Sequence, residues 1–210
     1  MPKKNSYGRP TRSPSDRSLK PALLIFTEGQ KTEPQYLVHW QRKLRESITI
    51  HIDDRHGTPN TLLQYAIDAK RNAARAEKKG RGTPPDQIWC VFDRDDHPYV
   101  DEVRKSAEGN GILIAFSNPC FELWLLLHYR EQTRWLDSKE AQSEFKHAAS
   151  LSENKNLPAT VMTQLAERYG AACERARKLD ELHEGNGNPA GENPSSSVWR
   201  LVEAIHDLAR

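Results

Sequence analysis

Two short acidic strings hold the residues best suited to chemistry, Thr27-Glu28-Gly29-Gln30-Lys31-Thr32-Glu33 and Asp93-Arg94-Asp95-Asp96. Each follows an apolar run, Ala22–Thr27 (ALLIFT) or Ile88–Phe92 (IWCVF), that reads as a buried strand. Glu28 is not placed to cap the helix expected beyond it, and Gly29 permits a sharp backbone turn behind it. Bringing Glu28, Asp93 and Asp95 together is costly without a cation, because like charges repel in a partly dry cleft. A hard divalent ion removes that cost. Mg2+ takes oxygen ligands, commonly one or two carboxylates plus a substrate phosphate, so these three acids are candidate metal ligands. Taken singly, each acid has a plainer explanation: Asp93 can cap a turn, Asp96 can be solvated, and Glu33 sits where a helix dipole favours an acid.

Further candidates lie near these strings. Lys31 can neutralise charge building on a transferring phosphate, or it can be a solvated lysine in a polar turn. Glu122 stands in an apolar helix (CFELWLLLHY, Cys120–Tyr129), where an acid needs a partner. Either it pairs with a buried arginine or it reaches the acidic site. His97 follows the second string as a proton donor or as a surface-loop histidine. His128 ends the apolar helix and reads as a satisfied core residue. Trp40, Trp89 and Trp124 sit on apolar faces, leaving no aromatic platform for stacking bases. Neither a Walker loop nor a Cys/His metal spacing is present in the sequence.

The elements that must position these residues follow from periodicity. Thr32–Ser47 reads as a helix with Thr32 and Gln35 as a capping box, and Ile48–Ile52 as a second strand. Thr58-Pro59 opens a long helix with Leu62, Leu63, Ala66 and Ile67 on one face, ending near Gly80 and Gly82. Tyr99–Glu108 reads as a helix and Ile112–Phe116 as a fourth strand. Asn118 and Pro119 read as the cap and first residue of the helix after it. Alternating strands and helices predict a mostly parallel α/β sheet flanked by helices, whose ligands gather at the carboxyl ends of the strands. Beyond residue 130 the pattern is wholly helical, with Met162, Leu165, Tyr169, Ala172, Ala176 and Leu179 on one stripe. Val198, Leu201, Val202, Ile205 and Leu208 form another. The expected organisation is a flexible basic arm over 1–20, an α/β core over 21–130 and a helical part over 131–210.

Composition narrows the classes. The chain has 210 residues, 36% of them hydrophobic, a mean hydropathy of −0.82 and a net charge of +2. Residues 1–20 hold six basic side chains against the single acid Asp16, while the rest holds 25 basic against 28 acidic. A basic Pro/Ser-rich arm ahead of a slightly acidic body suits phosphate contact, or it is a solvated tail. No apolar run is long enough to span a membrane and no secretory leader is visible. Cys90, Cys120 and Cys173 read as reduced, buried thiols, and the expected location is cytoplasmic.

A strand ending in Glu-Gly, with a later strand ending in Asp-x-Asp, resembles the Toprim domain of topoisomerases, primases and several nucleases. Longer strings are more specific. LLIFTEGQKTEPQY (23–36), WCVFDRDD (89–96), SNPCFELWLLLHY (117–129) and NPSSSVWRLV (193–202) together resemble the RloB-like family. The resemblance implies a Toprim-like core and an association with bacterial defence or restriction loci, often beside a separately encoded ATPase. It implies that Asp93 and Asp95 hold Mg2+ (or Mn2+) and that Glu28 binds metal or moves a proton at the attacked phosphodiester. Lys31, Glu33 and Glu122 are the further catalytic candidates. A topoisomerase needs a tyrosine-bearing second domain and a primase further domains, so the expected activity is that of a nuclease acting on RNA or DNA, and the resemblance implies a role as an anti-phage effector. A phosphoaspartate enzyme is disfavoured, since His97 stands where that site expects Thr or Val. The remaining alternative is a non-catalytic subunit that binds nucleic acid or an ATPase partner.

Overall fold

Alternating burial along the strands explains the architecture. In β1 (Ala22–Thr27), Leu23 and Ile25 point to one face of the sheet, and Leu24 and Phe26 to the other. In β3 (Gln87–Asp93), Trp89 and Val91 separate in the same way from Ile88, Cys90 and Phe92. A strand apolar on both faces must be covered on both, which is how a parallel sheet between helices reads in sequence. The computed structural model describes residues 20–94, 97, 99–151, 156–189 and 191–210; the basic arm up to residue 19 lies outside them.

Five strands form one sheet in the order β2-β1-β3-β4-β5, with β2 at Thr49–Ile52, β4 at Leu113–Asn118 and β5 at Ser195–Ser196. The first four run parallel, and β5 pairs antiparallel with the end of β4. Helices α2 (Pro59–Lys78) and α3 (Val100–Asn110) cover one face with Leu62, Leu63, Ala66, Val103 and Ala107. The other face lies under α1 (Thr32–Lys43), α4 (Phe121–Leu127), α5 (Ser138–Ala148), α6 (Ala159–Gly185) and α7 (Val198–Leu208). The protein is thus mixed α/β, with a mostly parallel sheet and a helical C-terminal part, an arrangement consistent with a Toprim-like core. No helix among the described residues is long and apolar enough to cross a membrane.

Several expectations need correction. The chain beyond residue 130 is not wholly helical, because β5 returns to the sheet. Asn118 does not cap α4. It is still paired in β4 with Ser195, and its side-chain amide donates to the Gly191 carbonyl at 2.9 Å. The Asn118–Pro119 peptide is cis, Cys120 takes the N-cap position, and α4 starts at Phe121. Thr32 and Gln35 form no capping box, since Lys31 is at the N-cap without a side-chain cap bond. Gln35 instead accepts from the Leu157 amide at 3.0 Å and donates to Asn156 at 3.2 Å, tying α1 to the segment ahead of α6. Helix α1 also ends at Lys43 rather than Ser47.

Candidate functional site

The sheet order reverses between β1 and β3: the chain leaves β1 to build β2 on one side, then returns to build β3 and β4 on the other. Loops diverge at such a switch point and open a crevice beyond the carboxyl ends of the strands. Glu28 and Asp93 occupy that crevice. The pairing of β1 with β3 runs one bond past the strand, from the Glu28 amide to the Val91 carbonyl at 2.9 Å. This bond fixes the Glu28 backbone beside the end of β3. The Glu28 carboxylate then accepts from the Asp93 amide at 3.2 Å and shares a 2.7 Å hydrogen bond with His97 Nε2. His97 is therefore a partner of Glu28, a choice its position in a polar loop left open. On the β2 side, His56 Nδ1 lies 3.0 Å from the Thr27 carbonyl.

Glu33 belongs to the first turn of α1 but folds back towards β1. Its carboxyl accepts from the Gly29 amide at 3.2 Å and is only 6% exposed. Burial raises its pKa above the ordinary carboxylate value; its own and the Gly29 amide oppose the rise, and the Glu122 and Glu28 charges add to it. A Cβ on Gly29 would fall on the Glu33 carboxyl, so a side chain there would push that carboxyl away from the Gly29 amide. Glu122, in the first turn of α4, is the neighbour that repels Glu33 most. It is half-buried at the wall of a cavity, which answers why an acid stands in so apolar a helix. The buried Cys120 thiol is pushed up by burial first, then by the Glu122 and Asp93 charges, so the acids of β3 and α4 surround it.

Four of the candidate acids, Glu28, Glu33, Asp93 and Glu122, thus converge at one end of the sheet. Lys31 lines the same cavity as Glu33 and Glu122. Asp95 and Asp96 lie outside the described residues. Among the described residues no group of three or more His, Cys, Asp or Glu is arranged to hold an ion. What they do supply is two neighbouring carboxylate residues, Glu28 and Asp93, with the Glu28 carboxylate accepting from the Asp93 backbone amide. That donor chemistry fits Mg2+, which needs only one or two protein carboxylates beside a phosphate.

The cavity beside these acids measures about 350 Å3. Its far wall is α5, through Gln142, Phe145 and Lys146, together with Leu151 and Leu157. These residues escape sequence reading because they reach the site only through tertiary packing, although Asp137 and Glu140 form a legible capping box at the start of α5. His128 is a core residue as expected. Its Nδ1 pairs with the Trp124 carbonyl at 2.9 Å, its Nε2 lies 3.4 Å from the Tyr36 hydroxyl, and burial lowers its pKa to about 3. All three cysteines are free and buried.

Fold and site together define an α/β protein with an acidic crevice at the switch point of a mostly parallel sheet. The chain belongs to the RloB-like protein family, whose model matches residues 23–205. Neither a curated protein nor a solved structure matches it.

Proposed function

We propose that this protein is a divalent-metal-dependent nuclease that hydrolyses phosphodiester bonds of RNA or DNA, serving as an effector of anti-phage defence. The observation that carries the reading is the gathering of Glu28, Asp93, Glu33 and Glu122 at the switch point. So many acids with one histidine among them suit a site completed by a cation. Mg2+ or Mn2+, held by Asp93 and Asp95, would supply Lewis-acid stabilisation of the phosphoryl oxygens and a more acidic attacking water.

The chain's own residues do the rest. Glu28, oriented by the Asp93 amide and by His97, takes the proton of the attacking water. Glu33 fixes the Gly29 turn, and through it the direction in which Glu28 leaves β1. Lys31, beginning α1, offsets negative charge on the phosphorane-like transition state. Glu122 faces the same cavity from α4.

The test is incubation of the purified protein with RNA and with DNA, each with Mg2+, with Mn2+ and with chelator. Metal-dependent cleavage that falls at least ~100-fold in Glu28→Gln and Asp93→Asn, with circular dichroism unchanged, is the expected result. Binding without cleavage, indifferent to both substitutions, would instead identify a non-catalytic subunit acting with a separate ATPase.

A further inference from the structure

The cavity between the acidic crevice and α5 has a composition that nuclease chemistry alone does not require. One end holds Glu33 and Glu122, which belong to the acidic cluster. The remainder combines an apolar wall (Phe145, Leu151, Leu157) with the amide of Gln142 and two cations, Lys31 and Lys146. Among the described residues these are the only basic side chains lining it, and neither is in an ion pair with an acid. Two lysines at an apolar hollow, neither paired with an acid among the described residues, suit an anionic ligand that brings its own apolar surface.

The walls are also fastened. Gln35 holds Leu157 and Asn156 against α1 through its carbonyl and its amide. Asp137 and Glu140 close the first turn of α5 reciprocally, at 2.8 and 3.1 Å. A hollow whose two sides are tied independently is preorganised for a ligand. Its volume, about 350 Å3, lies at the lower end of the ~300–1,000 Å3 range of ligand sites. That admits one nucleotide and excludes a base pair with its two backbones.

We propose that this cavity is a subsite for one unpaired nucleotide of a single-stranded or looped nucleic acid, with the base against Leu151, Leu157 and Phe145 and the flanking phosphate on Lys31 and Lys146. The proposal rests on the nuclease reading for its substrate class and deepens it. Unstacked bases can enter an apolar hollow and hydrogen-bond their edges there, as single-strand readers require. A duplex offers no free base, so it reaches the acids without filling the hollow. Gln142 is placed to read a base edge, because its amide both donates and accepts.

Binding is measured by fluorescence anisotropy of labelled 12-nucleotide RNA and DNA single strands, and of the matching duplexes, against the full chain in chelator. Binding is thereby separated from cleavage. The expected result is tighter binding of single strands than of duplexes. Lys146→Glu should weaken single-strand binding at least tenfold, and Leu157→Trp, which fills the hollow, should do likewise. If Leu157→Trp fails to fold, Gln142→Trp fills the hollow from the exposed side of α5. Single-strand affinity unchanged in Lys146→Glu and in the filling variant, a preference for duplex, or no binding of any oligonucleotide would overturn the subsite. Cleavage by the wild type with unchanged binding in the variants sinks the subsite and spares the nuclease. Binding lost in the variants, with no metal-dependent cleavage by the wild type, sinks the nuclease and spares the subsite.

Discussion

His128 shows how much one side chain can commit a fold to a pH range. It sits at the end of α4 among Tyr36 and Trp124, with ring centroids 5.8 and 4.7 Å away. Its Nδ1–H donates to the Trp124 carbonyl, which leaves Nε2 to accept from Tyr36. Burial is the largest cause of the fall in its pKa to about 3, with Arg175 and Arg168 adding to it and the Trp124 and Leu125 backbone opposing it. The folded pKa lies below the unfolded value of roughly 6.5, so the unfolded chain binds the extra proton between the two. Stability is therefore fully present above about pH 6.5 and falls as pH drops towards 3, by up to about 1.4 kcal/mol per unit from this group. Urea midpoints should be level from about pH 7 to 8 and fall from about pH 6 to 5, and His128→Gln should reduce that fall by about one proton. An identical slope in the variant would place the titration elsewhere. The same scale shows what a sequence can and cannot say about a site. Glu28 and Asp93 were legible because each directly follows an apolar strand, where ligands of α/β sheets gather. The Glu28–His97 pair was not, because a loop histidine carries no local mark of the partner it meets 69 residues away.

At the scale of elements, legibility followed length. Long amphipathic segments such as α2, α6 and α7 declare themselves by periodicity, and the strands β1, β3 and β4 by their unbroken apolar runs. Strand β5 has only two residues, both serine, so neither period nor propensity marks it. Its place comes from Ser196 and Ser195 meeting Ser117 and Asn118, with the Ser197 amide adding a bond to the Phe116 carbonyl at 2.7 Å. Helix α5 is a middle case, polar over much of its length but opened by a reciprocal cap. Asp137 accepts from the Glu140 amide while Glu140 accepts from the Asp137 amide. Asp137→Ala removes one arm and strands the other, at a cost of about 1 kcal/mol. For a chain of this length, that is a drop of roughly 2–4 °C in Tm. Differential scanning calorimetry checks it, and an unchanged Tm would mean that the cap contributes nothing to α5.

At the scale of the molecule, the sheet has unequal faces. The α2 and α3 side is a small cluster around Phe26, Cys90 and Phe92, whereas the opposite side draws on α1, α4, α5, α6 and α7. Twelve buried apolar residues of that larger cluster come from α6 and α7: Val161, Met162, Leu165, Ala166, Ala172, Cys173, Ala176, Leu179, Val198, Leu201, Val202 and Ile205. They pack in one cluster with Leu23, Ile25, Trp89 and Val91 of the sheet. Fully burying a large aliphatic side chain stabilises by about 1.5–3 kcal/mol. Eight of the twelve are side chains of that size, so their burial is a large gross term beside a net domain stability of only ~5–15 kcal/mol. The acidic crevice therefore depends on the late helices, which pack against α4, β4 and β5 and share one apolar cluster with β1 and β3. Deleting residues 159–210 should leave a chain with no cooperative thermal transition and with exposed apolar surface that binds a hydrophobic dye. Circular dichroism melts of the truncated and full chains decide the matter. A sharp transition in the truncated chain near the Tm of the full one would show that strands β1 to β4 and the first five helices hold the site unaided.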